Sequence, residues 1–158
     1  MPIVAGIVLG CVQFFPEMYH KSLKLTLHLP CGHLRMMFEM LGYGLGVLAL
    51  SFGLNYLMLW VGFSQVLAPE LYGRMLIVAL PWYLSAFAAY LMVAWIILEG
   101  AWSRRLLNLL VTVLCLKVFF MSDFPGAYVP FLPALVVFCV ACLALPWISI
   151  DRFKKGIE

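Results

Sequence analysis

Residues Phe14–Gly46 read FFPEMYHKSLKLTLHLPCGHLRMMFEMLGYGLG. This is the one long polar interruption in an otherwise apolar chain, and it holds all three histidines and three of the ten basic residues. An apolar run ends at Pro16, and a longer one begins near Met40. Between them Leu23, Leu25, Leu27 and Leu29 alternate with Lys24, Thr26 and His28, as in a half-buried strand. The same residues also satisfy a helical period. At 100° per residue His20, Lys21, Lys24 and His28 share an arc of about 100°, and Met18, Tyr19 and the leucines cover the remainder. A lone strand at a membrane surface leaves its backbone groups without ladder partners. The segment is therefore expected to be a short amphipathic helix, ended by Pro30 and Gly32. Arg35 and Glu39 then stand four apart at the foot of the next helix, where they can pair.

The composition names the solvent around that segment. The chain has 158 residues, of which 66% are hydrophobic and 11% charged. Soluble domains carry roughly 25% charged residues, so this chain has too few to cover a water-facing surface, and lipid is its main solvent. One membrane domain spanning residues 1–158 is the economical reading. The net charge of +3 is spread over loops, with no basic stripe to bind nucleic acid. Cys11, Cys115, Cys139 and Cys142 lie in apolar runs and Cys31 in the polar segment, so no disulfide framework emerges. No positive n-region of a cleavable signal precedes the first apolar run.

The apolar runs predict about four full spans and one short one. Residues 2–15 fall below the roughly 20 residues that a spanning helix needs, and read as a partial span of a chain that begins partway through a longer protein. Residues 40–63, 75–98, 106–121 and 131–149 are the remaining spans, 106–121 being short. Residues 64–74, with Pro69 and Gly73, read as a turn, and 122–130 as a proline-rich connection. Gly42 and Gly46 form a GxxxG pair that lets another backbone approach closely.

The basic residues orient these spans. Alternate loops carry Lys21, Lys24 and Arg35, then Arg104 and Arg105, then Arg152, Lys154 and Lys155. The opposite side carries Arg74, with Lys117 near that face. The excess of Lys and Arg on the inner side of membrane proteins places residues 17–39, 99–105 and the C-terminal tail in the cytoplasm.

Few residues carry chemistry. The three histidines lie in one segment and none in a span, which reads as interfacial polarity rather than a metal or haem site. Cys139 and Cys142 sit mid-span, away from the electropositive, accessible setting a redox CxxC needs. Lys117 is the one clear charge inside a span, a possible pathway residue whose long stem can also snorkel to the outer interface. Asn55 and Asn108 are expected to bridge helices. No GxxxxGK[ST] loop is present, so nucleotide binding by this chain is not expected.

The opening stretch resembles the loop after the second membrane helix in permeases of the type-2 ABC exporter family. Glu17 matches the acidic position after the helix, Leu23, Leu25, Leu27 and Leu29 the leucine-rich run, and Pro30 the proline that closes it. Arg35 and Gly42 fall where the next, glycine-containing helix begins. The resemblance covers about 25 residues specifically and the remainder by the order of spans. It departs at Ser22 and Lys24, where the family often has glycine or threonine, and in lacking the family's first span. It implies a permease subunit in which Glu17, Lys21, Leu23, Lys24, Leu25, Leu27, Leu29, Pro30 and Arg35 form a coupling helix docked on a cytoplasmic ABC ATPase. It further implies a second permease copy or homologue as partner, ATP held by the partner subunit, no cofactor in this chain, and a bacterial inner membrane. The alternative is a non-catalytic membrane anchor or assembly subunit. A small membrane enzyme is weakest, since no nucleophile and base converge.

Overall fold

A computed structural model describes residues 2–19, 33–121, 124 and 126–154. Among them the chain is helical throughout, with no strand. The helices are α1 (Pro2–Tyr19), α2 (His33–Ser64), α3 (Pro69–Leu98), α4 (Trp102–Val118), α5 (Leu132–Cys142) and α6 (Ala144–Lys154). Four stretches are long and apolar enough to cross a membrane: Pro2–Tyr19, Phe38–Ser64, Pro69–Leu98 and Leu132–Ser149. The chain is an all-helical, multi-pass membrane protein. The amphipathic helix expected within 17–39 falls largely on residues outside those described.

Several boundaries differ from the sequence expectation, each for a local reason. The first helix continues past Pro16 to Tyr19. Proline within a membrane helix removes one backbone donor, a loss that neighbouring helices make tolerable. The turn expected over 64–74 shrinks to the few residues between Ser64 and Pro69. Ala68 is extended at the N-cap, Pro69 occupies the first turn where its missing N–H has no intrahelical partner anyway, and Glu70 favours the positive helix end. The span expected over 106–121 is the helix Trp102–Val118, and its 17 residues rise about 26 Å, short of the roughly 30 Å hydrocarbon core. The final span breaks at Leu143, whose N–H bonds the Val140 carbonyl at 3.1 Å. Pro146 follows within the first turn of α6, where a missing donor costs least. Within the basic tail the helix continues to Lys154. Gly126, ahead of α5, has φ of 91°, a left-handed conformation natural to glycine.

The axis of the bundle is α3, against which every other helix packs. Half of its most apolar window is buried, against 11% for α2 and 17% for α1. Small residues make that possible: Ser85, Ala86, Ala88, Ala89 and Ala94 are all fully buried, so helices approach α3 from several sides. The closest approach is by α1. Gly6 faces the backbone of Ala86, and Gly10 faces Val93 and Tyr90. A Cβ at Gly6 would overlap the Ala86 carbonyl oxygen, and one at Gly10 would lie 3.0 Å from Val93 Cγ1. Contacts advance together along both helices, so α1 and α3 run parallel.

The packing has two centres. Phe14, Leu41, Leu48, Tyr90, Leu91, Met92, Ala94, Leu98 and Cys142 form the larger, toward the end where α1 and α3 finish and α2 begins. Ala88, Phe119 and Leu135 form the smaller one between α3, α4 and α5. The outward surface is apolar. On α4, Asn108 and Thr112 are buried while Leu106, Leu107, Leu109, Leu110, Val113 and Leu114 are exposed. Polar groups inward and leucines outward is the arrangement lipid favours.

Candidate functional site

The structure gathers polar side chains at two places along α3. The first joins three helices. Gln13 of α1 accepts a hydrogen bond from the Tyr90 hydroxyl of α3 at 2.8 Å, and its amide Nε2 donates to the Met40 carbonyl of α2 at 2.7 Å. Tyr90 is fully buried, and its ring packs on Phe14 with centroids 5.9 Å apart. Gly44 of α2 leaves the room its phenol occupies, since a Cβ there would overlap the Tyr90 hydroxyl. One amide thus satisfies a buried hydroxyl and a helix carbonyl at once, in a setting where unpaired polar groups cost several kcal/mol.

The second lies at the end of α3. Glu99 is 3% exposed. Ser149 of α6 donates to its Oε2 at 2.5 Å, and Arg104 lies 3.7 Å from its Oε1. Arg105 Nε donates to the Glu99 backbone carbonyl at 2.5 Å, taking up one of the carbonyls a helix end leaves unpaired. Arg105 also lies over the Trp102 ring, 5.7 Å from its centroid. A buried carboxylate is costly unless paired and hydrogen-bonded, and here it has a hydroxyl and a guanidinium. The cluster clasps the start of α4 and the middle of α6 onto the end of α3.

Further out, the Tyr83 hydroxyl of α3 donates to Asn55 Oδ1 of α2 at 2.7 Å, a bridge between spans. Asn108 of α4 is buried, its carbonyl accepts from the Thr112 hydroxyl at 2.8 Å, and its side-chain Nδ2 has no partner among the described residues. The Cys139 thiol donates to the Leu84 carbonyl at 3.5 Å, while Cys142 is buried. Among the described residues no group of three His, Cys, Asp or Glu side chains is placed to hold a metal.

The residues expected to form the coupling segment are partly beyond reach. Lys21, Leu23, Lys24, Leu25, Leu27, Leu29 and Pro30 lie outside the described residues. Glu17 is half-buried in the last turn of α1, and Arg35 stands in the first turns of α2, its side chain outside the description. Among the described residues a Cβ at Gly42 or Gly46 would meet nothing within 4 Å. The glycine pair that packs within the chain is Gly6 and Gly10, at the same spacing in α1. Lys117 is exposed in the last turn of α4, where a cation suits the negative helix end.

Glu99, at the start of the connection expected over 99–105, is a buried carboxylate with partners on α4 and α6 and not an exposed loop charge. Gln13 is the one polar side chain within the first apolar run, the signal that marks it in the sequence. Tyr90 and Ser149 carry no such signal, since both depend on which face of a helix turns inward. No known protein family, curated protein or solved structure matches the chain.

Proposed function

We propose that this chain is the membrane-spanning permease subunit of an ATP-binding-cassette transporter, an exporter whose ATP is hydrolysed by a separate cytoplasmic subunit. In this reading it is a bacterial inner-membrane protein with residues 17–39 and the C-terminus in the cytoplasm. Residues 17–39 dock on the ATPase, with leucines in a groove and the basic edge toward acidic groups. One observation supports the coupling role above others. The helices on either side of residues 20–32 are both tied to the central helix through the single side chain of Gln13, which bonds Tyr90 and the Met40 carbonyl. A displacement of the segment then moves α1, α2 and α3 together rather than one helix at a time. The basic residues at that end and the resemblance around Glu17 and Pro30 point the same way. A membrane anchor or assembly subunit is the second reading, favoured by the long uncovered face of α2.

Co-purification tests the proposal. Burying one leucine in a docking groove contributes about 1.5–3 kcal/mol, and Leu27→Asp removes that while placing a charge in an apolar contact. The expected result is loss of a co-purifying ATP-binding-cassette ATPase with membrane insertion intact. Lys24→Glu should weaken recovery less, since an exposed ion pair contributes about 0–1 kcal/mol. Equal ATPase recovery with wild type and Leu27→Asp, or a partner that is no ATPase, removes the permease reading.

A further inference from the structure

The helices do not all reach the same depth. On the α2–α3 side Arg74 is exposed near the start of α3, at the end of the bundle opposite Glu99. On the α4–α5 side the helices stop short of that level. Phe120, just beyond α4, sets its ring edge-on to Trp82 of α3 with centroids 5.1 Å apart. Trp82 lies eight residues in from Arg74, about 12 Å along the helix. Among the described residues, Phe124 and 126–131 are then non-helical, with turn bonds such as that from the Ala127 N–H to the Phe124 carbonyl. Lys117 stands near the depth of Trp82. It continues a line of exposed side chains, Leu106, Leu110 and Val113, on the side of α4 away from buried Asn108 and Thr112. From Arg105 to Lys117 the helix rises about 18 Å, against a hydrocarbon core of roughly 30 Å. An extended lysine stem adds about 5 Å and still leaves this face short.

We infer that this side of the protein thins the bilayer: the leaflet at the Arg74 end dips by about 10 Å along α4, and its phospholipid phosphates pair with Lys117. Three observations select lipid headgroups as the partner. A lysine on the lipid-facing line of a span is costly in hydrocarbon and satisfied beside a phosphate. Irregular backbone is not tolerated where it meets hydrocarbon, yet the connection after α4 begins at the depth of Trp82, where α3 is still a continuous helix. Trp82 and Phe120 are both exposed there, as the aromatic residues at a membrane boundary are. With the boundary at that depth, exposed Met121 and Phe124 reach the upper acyl chains. A leaflet adjusts its thickness to a short apolar face at modest cost per ångström. The inference does not depend on a transport role.

The test uses the full chain in dioleoylphosphatidylcholine vesicles, with one nitroxide attached through a single cysteine in a cysteine-free background. The two label sites are Val118→Cys on α4 and Leu54→Cys on α2, which are 52% and 54% exposed in the native chain. They share one depth, since Asn55 accepts from Tyr83, the neighbour of Trp82. Collision with a neutral nickel chelate in the buffer should be severalfold higher at Val118 than at Leu54, and collision with oxygen lower. A lipid carrying chelated nickel on its headgroup should give the same order. Lys117→Leu should bring the Val118 readings toward those of Leu54, Lys117→Arg should preserve them, and the Leu54 readings should stay constant as the folding control. Oxygen-rich, nickel-poor readings at both sites overturn the dip. Low collision with every reagent at Val118 shows a second protein covering this face and also overturns it. Relaxation by the free chelate without the headgroup-bound one means a water-filled cleft and overturns the lipid contact. Val118 readings that Lys117→Leu leaves unmoved overturn the pairing with phosphate.

Discussion

Removing the Tyr90 hydroxyl tests whether Gln13 ties three helices into one unit. In Tyr90→Phe the ring stays against Phe14, so apolar packing is kept, but Gln13 Oε1 loses its donor and a gap opens beside Gly44. In soluble proteins a buried acceptor left unpaired costs about 1–3 kcal/mol. Interhelical hydrogen bonds in membranes measure about 0.6 kcal/mol on average and about 1.7 at most. Tyr90 is fully buried, with no lipid headgroup or water to replace the lost partner, so the expected cost lies in the upper part of that range, about 1–1.7 kcal/mol. Gln13→Leu removes two bonds and strands the phenol, while the Met40 carbonyl keeps its place in the α2 ladder, costing about 1.5–3 kcal/mol. With Gln13 gone the hydroxyl has no acceptor, so Tyr90→Phe in that background should cost nothing further. The double-mutant cycle should therefore give a coupling of about 1 kcal/mol or more. Reversible unfolding in mixed micelles with increasing SDS, followed by far-UV helicity, reads all four proteins. Costs that add to within about 0.3 kcal/mol would show that the two side chains act separately and would refute the three-helix tie.

Other expectations follow from single contacts. Gly6→Leu and Gly10→Leu should each separate α1 from α3 and lower the same unfolding midpoint strongly, while Gly42→Leu and Gly46→Leu should leave the isolated chain unchanged, because the first pair meets Ala86, Tyr90 and Val93 and the second meets nothing among the described residues. Ser149→Ala should cost about 1–3 kcal/mol by leaving one oxygen of the buried Glu99 carboxylate short of a donor, and amide exchange over residues 99–105 should rise. Glu99→Gln should leave the Arg105 bond to the backbone carbonyl intact, so exchange there should change less than after Arg105→Ala; the reverse order would remove the clasp. In a cysteine-free background, Ser22→Cys and Gly156→Cys should resist an impermeant thiol reagent in intact cells, and labelling at both would invert the orientation.

How far the sequence leads depends on what each signal encodes. Apolar run length locates the spans to within several residues because the bilayer imposes it directly on the chain. Proline is ambiguous: Pro69 reads as a turn yet starts α3, and Pro16 reads as an end yet lies inside α1, since the ring forbids a donor and not a helix. Glycine spacing states that a backbone can come close but not on which side. Gly6 and Gly10 turn toward α3 while Gly42 and Gly46, at identical spacing, do not. Glu99 stands beside two arginines in sequence and resembles an ordinary interfacial charge. Its burial comes from Ser149 on a helix fifty positions away, a pairing that local sequence does not encode.

The parallel seating of α1 on α3 bears on how the protein is made. Gln13 and Tyr90 are 77 positions apart. At about 5–20 residues per second of synthesis, α1 leaves the ribosome roughly 4–15 s before its seat exists. During that interval the side-chain oxygen of Gln13 and the glycine face of α1 lack the α3 partners they will have in the folded protein. The α2 helix must also cross in the opposite direction before α3 can arrive parallel to α1. Final assembly is therefore a lateral event between helices already in the bilayer. A helix made before α2 and α3 thus finds its seat only after both have entered the bilayer, and a quality-control factor that recognises polar groups in hydrocarbon would meet this protein through Gln13.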